Sequence, residues 1–338
     1  MENLGGLQIC QWSLIDCPSK VRREEVSEER EIAEVEKELW QRVTQDEGSI
    51  RANAYVALSR IAFDQGKFKE SLAMCETARD IFDKEDTGEY QREVFEVHVG
   101  ISKINYELGR TSEAAQAMGK AIEAARTFDY EEIDDLLRDQ GRQYYTAGEY
   151  ENSIACHLEA MEFTQLHLRK DCNGIDYFNL GLGLKELARF DEAIDAFLKS
   201  RAAFKERDEV VNAVDCDYRL AEIYVELKNP VEVMHYGQRA LDFFTILNSY
   251  QKVWTLKYFL GVANQLLDDR ETAGRLFEEA KSLAQAMGWQ EWEFLIKVDT
   301  AFAELYELGG LHEQAQEMLR RVKVVEELAR KEVSHEAA

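Results

Sequence analysis

Cys156 and His157 stand side by side in "ENSIACHLEA", the residue types of a thiolate–imidazole couple. Adjacent residues on a helix point in different directions, so these two do not form a local dyad. The six histidines (His98, His157, His167, His235, His312 and His335) form no HExxH and show no metal-like spacing with cysteine or carboxylate. The six cysteines (Cys10, Cys17, Cys75, Cys156, Cys172 and Cys216) contain no CxxC pair. No GxxxxGK[ST] occurs, and Gly181-Leu-Gly183 lacks a third glycine and sits inside a helical pattern. Carboxylate pairs such as Asp134-Asp135 and Asp268-Asp269 fall near helix ends, where acidic side chains complement the helix dipole. The expectation is no catalytic group, no metal and no cofactor. The rival is catalysis within the first fifty residues, around Cys10 and Cys17, which deletion of residues 1–26 would expose.

The elements that carry these residues are helices. Apolar residues make up 45% of the 338, while only 2 prolines and 19 glycines interrupt them, too few breakers for a strand-and-turn architecture. Helix–helix turns recur at Gly66, Gly109, Gly148, Ala188, Lys228, Asp268 and Gly310. Their spacings, 43, 39, 40, 40, 40 and 42 residues, mark an internal period, which is the signature of a solenoid.

Small residues repeat with that period. Seven before each turn stand Ser59, Ser102, Gly141, Gly181, Ala221, Gly261 and Ala303. Five after it stand Ser71, Ala114, Ser153, Ala193, Val233, Ala273 and Ala315, and seven further on Ala78, Ala121, Ala160, Ser200, Ala240, Ala280 and Val322. Two antiparallel helices approach closely only where the crossing side chains are small. The units are therefore helix hairpins.

The small columns, the turn glycine and the aromatic two residues past it (Phe68, Tyr150, Phe190) resemble tetratricopeptide repeats, over roughly residues 50 to 325. The period near forty exceeds the family's usual length and resembles the long repeats of bacterial peptide-sensing regulators and of adaptor proteins. The fifth repeat departs from the pattern, with Pro230 and Val233 where a turn residue and a small residue are usual. The resemblance implies an all-α, right-handed α-solenoid of about seven hairpins over 49–325. An irregular segment (1–26) and a capping helix (27–48, with Ile32, Val35, Leu39 and Val43 on one face) precede it. The end of a C-terminal helix and a frayed tail (326–338) follow.

The resemblance also implies that the first helix of each hairpin lines a concave ligand surface. At its facing positions the first three repeats place Arg60, Lys103, Arg138 and Arg142, with Tyr106 and Tyr145 beside them. The next three place Phe178, Tyr218 and Tyr258, with Asn179 able to hydrogen-bond an extended backbone. A peptide is expected there, its acidic group or C-terminus near Arg142 and its apolar side chains near Tyr218 and Tyr258. The opposing expectation is that the basic groups pair with Asp64, Glu107, Asp135 or Glu96 of neighbouring repeats.

Net charge is −25, so a direct nucleic-acid partner is not expected. No run reaches eighteen apolar residues, Glu2 stands where a signal peptide needs a basic residue, and the cysteines read as reduced thiols, so the cytoplasm is expected and a membrane is not. The leading function is a non-enzymatic protein- or peptide-binding module acting as regulator or sensor. The alternatives are an assembly scaffold or self-associating adaptor, possible as a homo-oligomer, and an acidic decoy of a DNA-binding protein.

Overall fold

All seven turn residues adopt left-handed backbone angles, with φ from 51° at Lys228 to 78° at Gly148. The structure, a computed structural model, describes residues 25–85, 88–128, 130–167, 174–286 and 292–336. The anchor ends one helix, and the chain reverses into the next within three residues. Two hydrogen bonds close the first reversal: Gly66 N–H donates to Phe63 O (2.8 Å) and Lys67 N–H to Ala62 O (2.8 Å). That paired closure satisfies carbonyls the ended helix would leave orphaned.

Fifteen helices occur among the described residues. Helix α1 (Glu25–Gln45) precedes seven hairpins: α2 (Gly48–Asp64) with α3 (Phe68–Glu85), α4 (Gln91–Glu107) with α5 (Thr111–Ala125), α6 (Ile133–Thr146) with α7 (Tyr150–Leu166), α8 (Gly174–Glu186) with α9 (Phe190–Glu206), α10 (Val210–Glu226) with α11 (Pro230–Ile246), α12 (Tyr250–Leu266) with α13 (Arg270–Ala286), and α14 (Trp292–Leu308) with α15 (His312–Glu336). Cys10, Cys17 and Cys172 lie outside the described residues.

The chain forms two compact units. Unit 1 holds the described residues up to 167 together with Leu182–Ala188; unit 2 holds 174–181 and the described residues from Arg189 onward. In each, successive hairpins pack side by side, α3 on α4 and α5 on α6 in the first, α9 on α10, α11 on α12 and α13 on α14 in the second.

The small columns sit where the helices meet. All twenty-one of their members are buried, the second and third columns almost completely. Glycine allows an aromatic ring to lie directly on a backbone. A Cβ on Gly261 would come within 2.5 Å of the Phe277 ring, and one on Gly181 within 3.0 Å of Phe197. In the first hairpin the same crossing is polar: Ser71 Oγ donates to Ser59 O (2.7 Å), with the Ser59 hydroxyl 2.9 Å from Cys75 Sγ.

The half-period was not legible in the sequence. Left-handed residues recur at Ala188, Asp208, Lys228, Asn248 and Asp268, spaced by twenty, so turns within and between hairpins are alike from α8 to α13. The departure at Pro230 also has a plain cause. Pro230 is the first residue of α11, where its missing N–H costs nothing, and Asn229 Oδ1 caps the helix by accepting from Glu232 N–H (3.4 Å). Non-glycine residues pay about 1–2 kcal/mol in this backbone region. Lys228→Gly is therefore expected to stabilise unit 2 by about 1 kcal/mol in urea unfolding.

Helix α1 covers the first hairpin with its C-terminal half. Val43 and Leu39 pack with Ala54, Leu58, Tyr55 and Met74, and Trp40 meets Tyr55 edge-on at 6.4 Å. Ile32 and Val35, expected on the same face, remain exposed.

Candidate functional site

The basic residues chosen from the sequence all lie on first helices of unit 1, and the structure sorts them by burial. Arg138 on α6 is 14% exposed and is held by Asp134 (2.8 Å) and Asp135 (2.7 Å), while its other nitrogen donates to Thr164 Oγ1 on α7 (3.0 Å). That arginine ties α6 to α7. Arg60 on α2 pairs with Glu96 of α4 at 2.9 Å, with both side chains about half exposed. Arg142 pairs with Asp139 one turn earlier on α6, again with both side chains partly exposed. Of the partners the opposing expectation names, Glu96 pairs across neighbouring repeats as expected, Asp135 pairs with Arg138 within α6 instead, and Asp134 and Asp139 are further partners it did not name.

Asp139 is the residue that organises the surface. It pairs with Arg142 and feels the charge of Lys103, and burial raises its carboxyl above the usual carboxylate range against the pull of both cations. Lys103, half-buried on α4, is brought down to about 8, chiefly by burial, opposed by Asp139, Glu107 and Asp64. Lys103 and Arg142 share a row, and Tyr106 and Tyr145 form the next row one turn on. Tyr106 is exposed; the Tyr145 hydroxyl donates to Glu186 Oε1 (3.3 Å) and its ring meets Tyr150 edge-on at 5.5 Å. The i, i+3 spacing of Asp139 and Arg142 is the signal that could have found this cluster.

The aromatic residues of unit 2 are placed differently. Phe178 packs edge-on against Phe197 (5.5 Å) beside Phe204, Ala213 and Cys216, and Asn179 is buried. Tyr258 is half-buried among Phe259, Phe277 and Phe294, at 5.9–6.1 Å between ring centres. Tyr218 touches Phe259 at 5.8 Å and lies under two cations, Arg219 at 5.1 Å and Lys252 at 5.8 Å. Burial pushes its hydroxyl up to about 12. These rings build the edge of the core more than an open face. A cleft of about 520 Å³ opens elsewhere in unit 2, lined by Leu241, Tyr250, Val253, Lys257 and Leu283, and it takes in none of the sequence-selected residues.

Cys156 and His157 do face apart. The Cys156 thiol donates to Gln140 Oε1 (3.4 Å) and burial pushes it up to about 12, far from a reactive thiolate. The His157 ring covers Gly141, whose added Cβ would come within 2.8 Å of it. Burial, then Arg142 and Arg138, lower its pKa from 6.5 to about 4. Between those two values the unfolded chain takes up a proton that the folded one refuses, so stability falls on acidification through that window. The loss attributable to this ring approaches about 3 kcal/mol at pH 4. Urea unfolding at pH 7 and pH 4.5 should show a smaller acid loss for His157→Leu than for the native chain. Among the described residues no cluster of His, Cys, Asp or Glu is arranged to hold a metal ion. No described helix is long and apolar enough to cross a membrane.

Hairpins of this length, with small residues at each crossing and left-handed turns, define a helical-repeat solenoid. The fold is that of tetratricopeptide-repeat proteins, and residues 50–127 match the tetratricopeptide repeat family. In curated sequence the chain is 29% identical over 210 residues to kinesin light chain-related protein 2 of Arabidopsis thaliana, covering 60% of this chain and 31% of that protein. The chain thus spans about a third of that relative's length. Among solved structures, the signal-transduction ATPase with a tetratricopeptide repeat sensor from Pyrococcus horikoshii superposes with a TM-score of 0.57, at 15% identity over 86% of this chain and 45% of that one. Apo RapI gives 0.56 at 14% identity over 83% and 99%. BtubC of P. vanneervenii gives 0.53 at 19% identity over 65% and 92%.

Proposed function

We propose that this protein is a non-enzymatic binding module that holds a peptide or protein segment along the first helices of unit 1, and that binding is its regulatory or sensing act. One observation carries the reading: the Arg142–Asp139 pair is partly exposed at the surface, with half-buried Lys103 of α4 acting on the same carboxylate and the exposed ring of Tyr106 one turn on from Lys103. A partly exposed pair three residues apart contributes about 0–1 kcal/mol. A ligand carboxylate can therefore take the place of Asp139 at little cost, whereas the buried Arg138 pair is structural. Charged hydrogen bonds to such a ligand are each worth about 1.5–3 kcal/mol. The likeness to a tetratricopeptide repeat sensor supports the sensing role. Aromatic contact with the ligand is assigned to Tyr106 and Tyr145, because Phe178, Asn179, Tyr218 and Tyr258 are engaged in or against the core of unit 2.

The test is a titration of peptides with acidic C-termini against the native chain and two variants. Arg142→Glu is expected to weaken binding about ten- to a hundredfold, and Tyr106→Ala to weaken it less. Unchanged affinity in both would remove the groove from consideration.

A further inference from the structure

Helices α9 and α11 of unit 2 carry basic side chains that the proposed groove does not use. Arg201 and Lys205 lie one turn apart on α9, and His235 and Arg239 one turn apart on α11. Beneath them Asp217 of α10 is 0% exposed, with Arg201 Nε 2.7 Å from one carboxylate oxygen and Arg239 Nη2 3.3 Å from the other. The Asp217 oxygens and Arg201 Nε are buried without an aligned hydrogen bond, so proximity rather than directed bonding holds the guanidiniums there. Arg239, Lys205 and His235 are exposed and Arg201 is partly so.

The charges do not balance. Three permanent cations surround one carboxylate, a local surplus of two positive charges on a chain of net −25. Lys205 has no carboxylate partner within 4 Å among the described residues. Burial, Arg201 and Arg239 all lower its pKa. Gathering like charges in this way raises the energy of the empty surface, and a divalent oxyanion would return it. Guanidinium groups present paired donors that match phosphate oxygens, and a phosphate monoester carries about −1.5 to −2 near pH 7, close to the surplus.

We propose that Arg201, Lys205 and Arg239 form a phosphate-monoester site on the α9–α11 face of unit 2, with the buried Asp217 fixing the two guanidiniums. The site is separate from the unit 1 groove, and either can fail without the other.

Calorimetric titration at low salt with inorganic phosphate, a short phosphoserine peptide and its unphosphorylated form tests it. Both phosphate-bearing probes are expected to saturate the native chain, and the unphosphorylated peptide is not. Tighter binding of the phosphopeptide supports a protein-borne phosphate, and equal binding supports free phosphate. Lys205→Glu, at an exposed position, is expected to lose about ten- to a hundredfold in affinity, with Lys205→Gln between it and the native chain. Arg60→Glu in unit 1 should leave phosphate binding unchanged. The proposal is overturned if the native chain shows no saturable phosphate binding, if the unphosphorylated peptide binds equally well, or if natively folded Lys205→Glu keeps full affinity.

Discussion

Lys281→Met is expected to destabilise unit 2 by about 3–5 kcal/mol, because it strands a carboxylate in the core. Lys281 on α13 pairs with Asp299 on α14, and the two side chains are 9% and 4% exposed. They stand at the position where α9 and α10 pair Arg201 with Asp217, so the fold uses a buried ion pair at both hairpin junctions. Removing one partner leaves Asp299 without solvent or counter-charge, and that desolvation is the source of the cost. Removing both need not cost anything. The double variant Lys281→Met, Asp299→Leu keeps the volume and should fall within about 1 kcal/mol of the native chain. Urea unfolding followed by the fluorescence of Trp254, which is buried in the neighbouring aromatic cluster, reads both. Equal losses in the single and double variants would mean that packing, not charge, explains the effect.

The second large effect belongs to the ring that lies on a glycine. Phe277 is fully buried and touches Tyr258 (5.9 Å) and Phe302 (5.5 Å) at the α12–α13 crossing. Phe277→Ala removes that ring and leaves a cavity, an expected loss of about 3–5 kcal/mol. Gly261→Ala attacks the same contact from the other side: its methyl would sit 2.5 Å from the ring, and the overpacking should cost about 1–3 kcal/mol. The two changes must couple. With Phe277→Leu already present, Gly261→Ala should cost less than it does alone, and a double-mutant cycle measures the difference. Strict additivity would show that the ring does not depend on the glycine.

The sequence alone was enough for the architecture, because a solenoid repeats one local rule. Each hairpin needs small residues at its crossing, so the requirement recurs in the chain as columns, from Ser59 to Ala303 and from Ser71 to Ala315, and every member is buried. The turn anchors were legible for the same reason, since a glycine such as Gly66 or Gly148 marks a left-handed backbone. The anchors at Ala188, Lys228 and Asp268 were found only by the period, and their counterparts at Asp208 and Asn248 only by the structure. Asp and Asn adopt φ > 0 more readily than most residues, but Ala188 and Lys228 carry no such signal.

Side-chain pairing was decided by the tertiary structure. A sequence shows that Arg138 and Arg142 lie one turn apart, but not that the first reaches Thr164 on α7 while the second stays at the surface with Asp139. Nor does it show that Asp217 and Asp299 are buried under cations from another hairpin. Burial and long-range partners depend on how hairpins stack, and a charge or a ring has a different energy in water than against a neighbouring helix. Tyr258 reads as a ligand-facing ring along the chain and becomes part of the core edge once α13 and α14 pack on it.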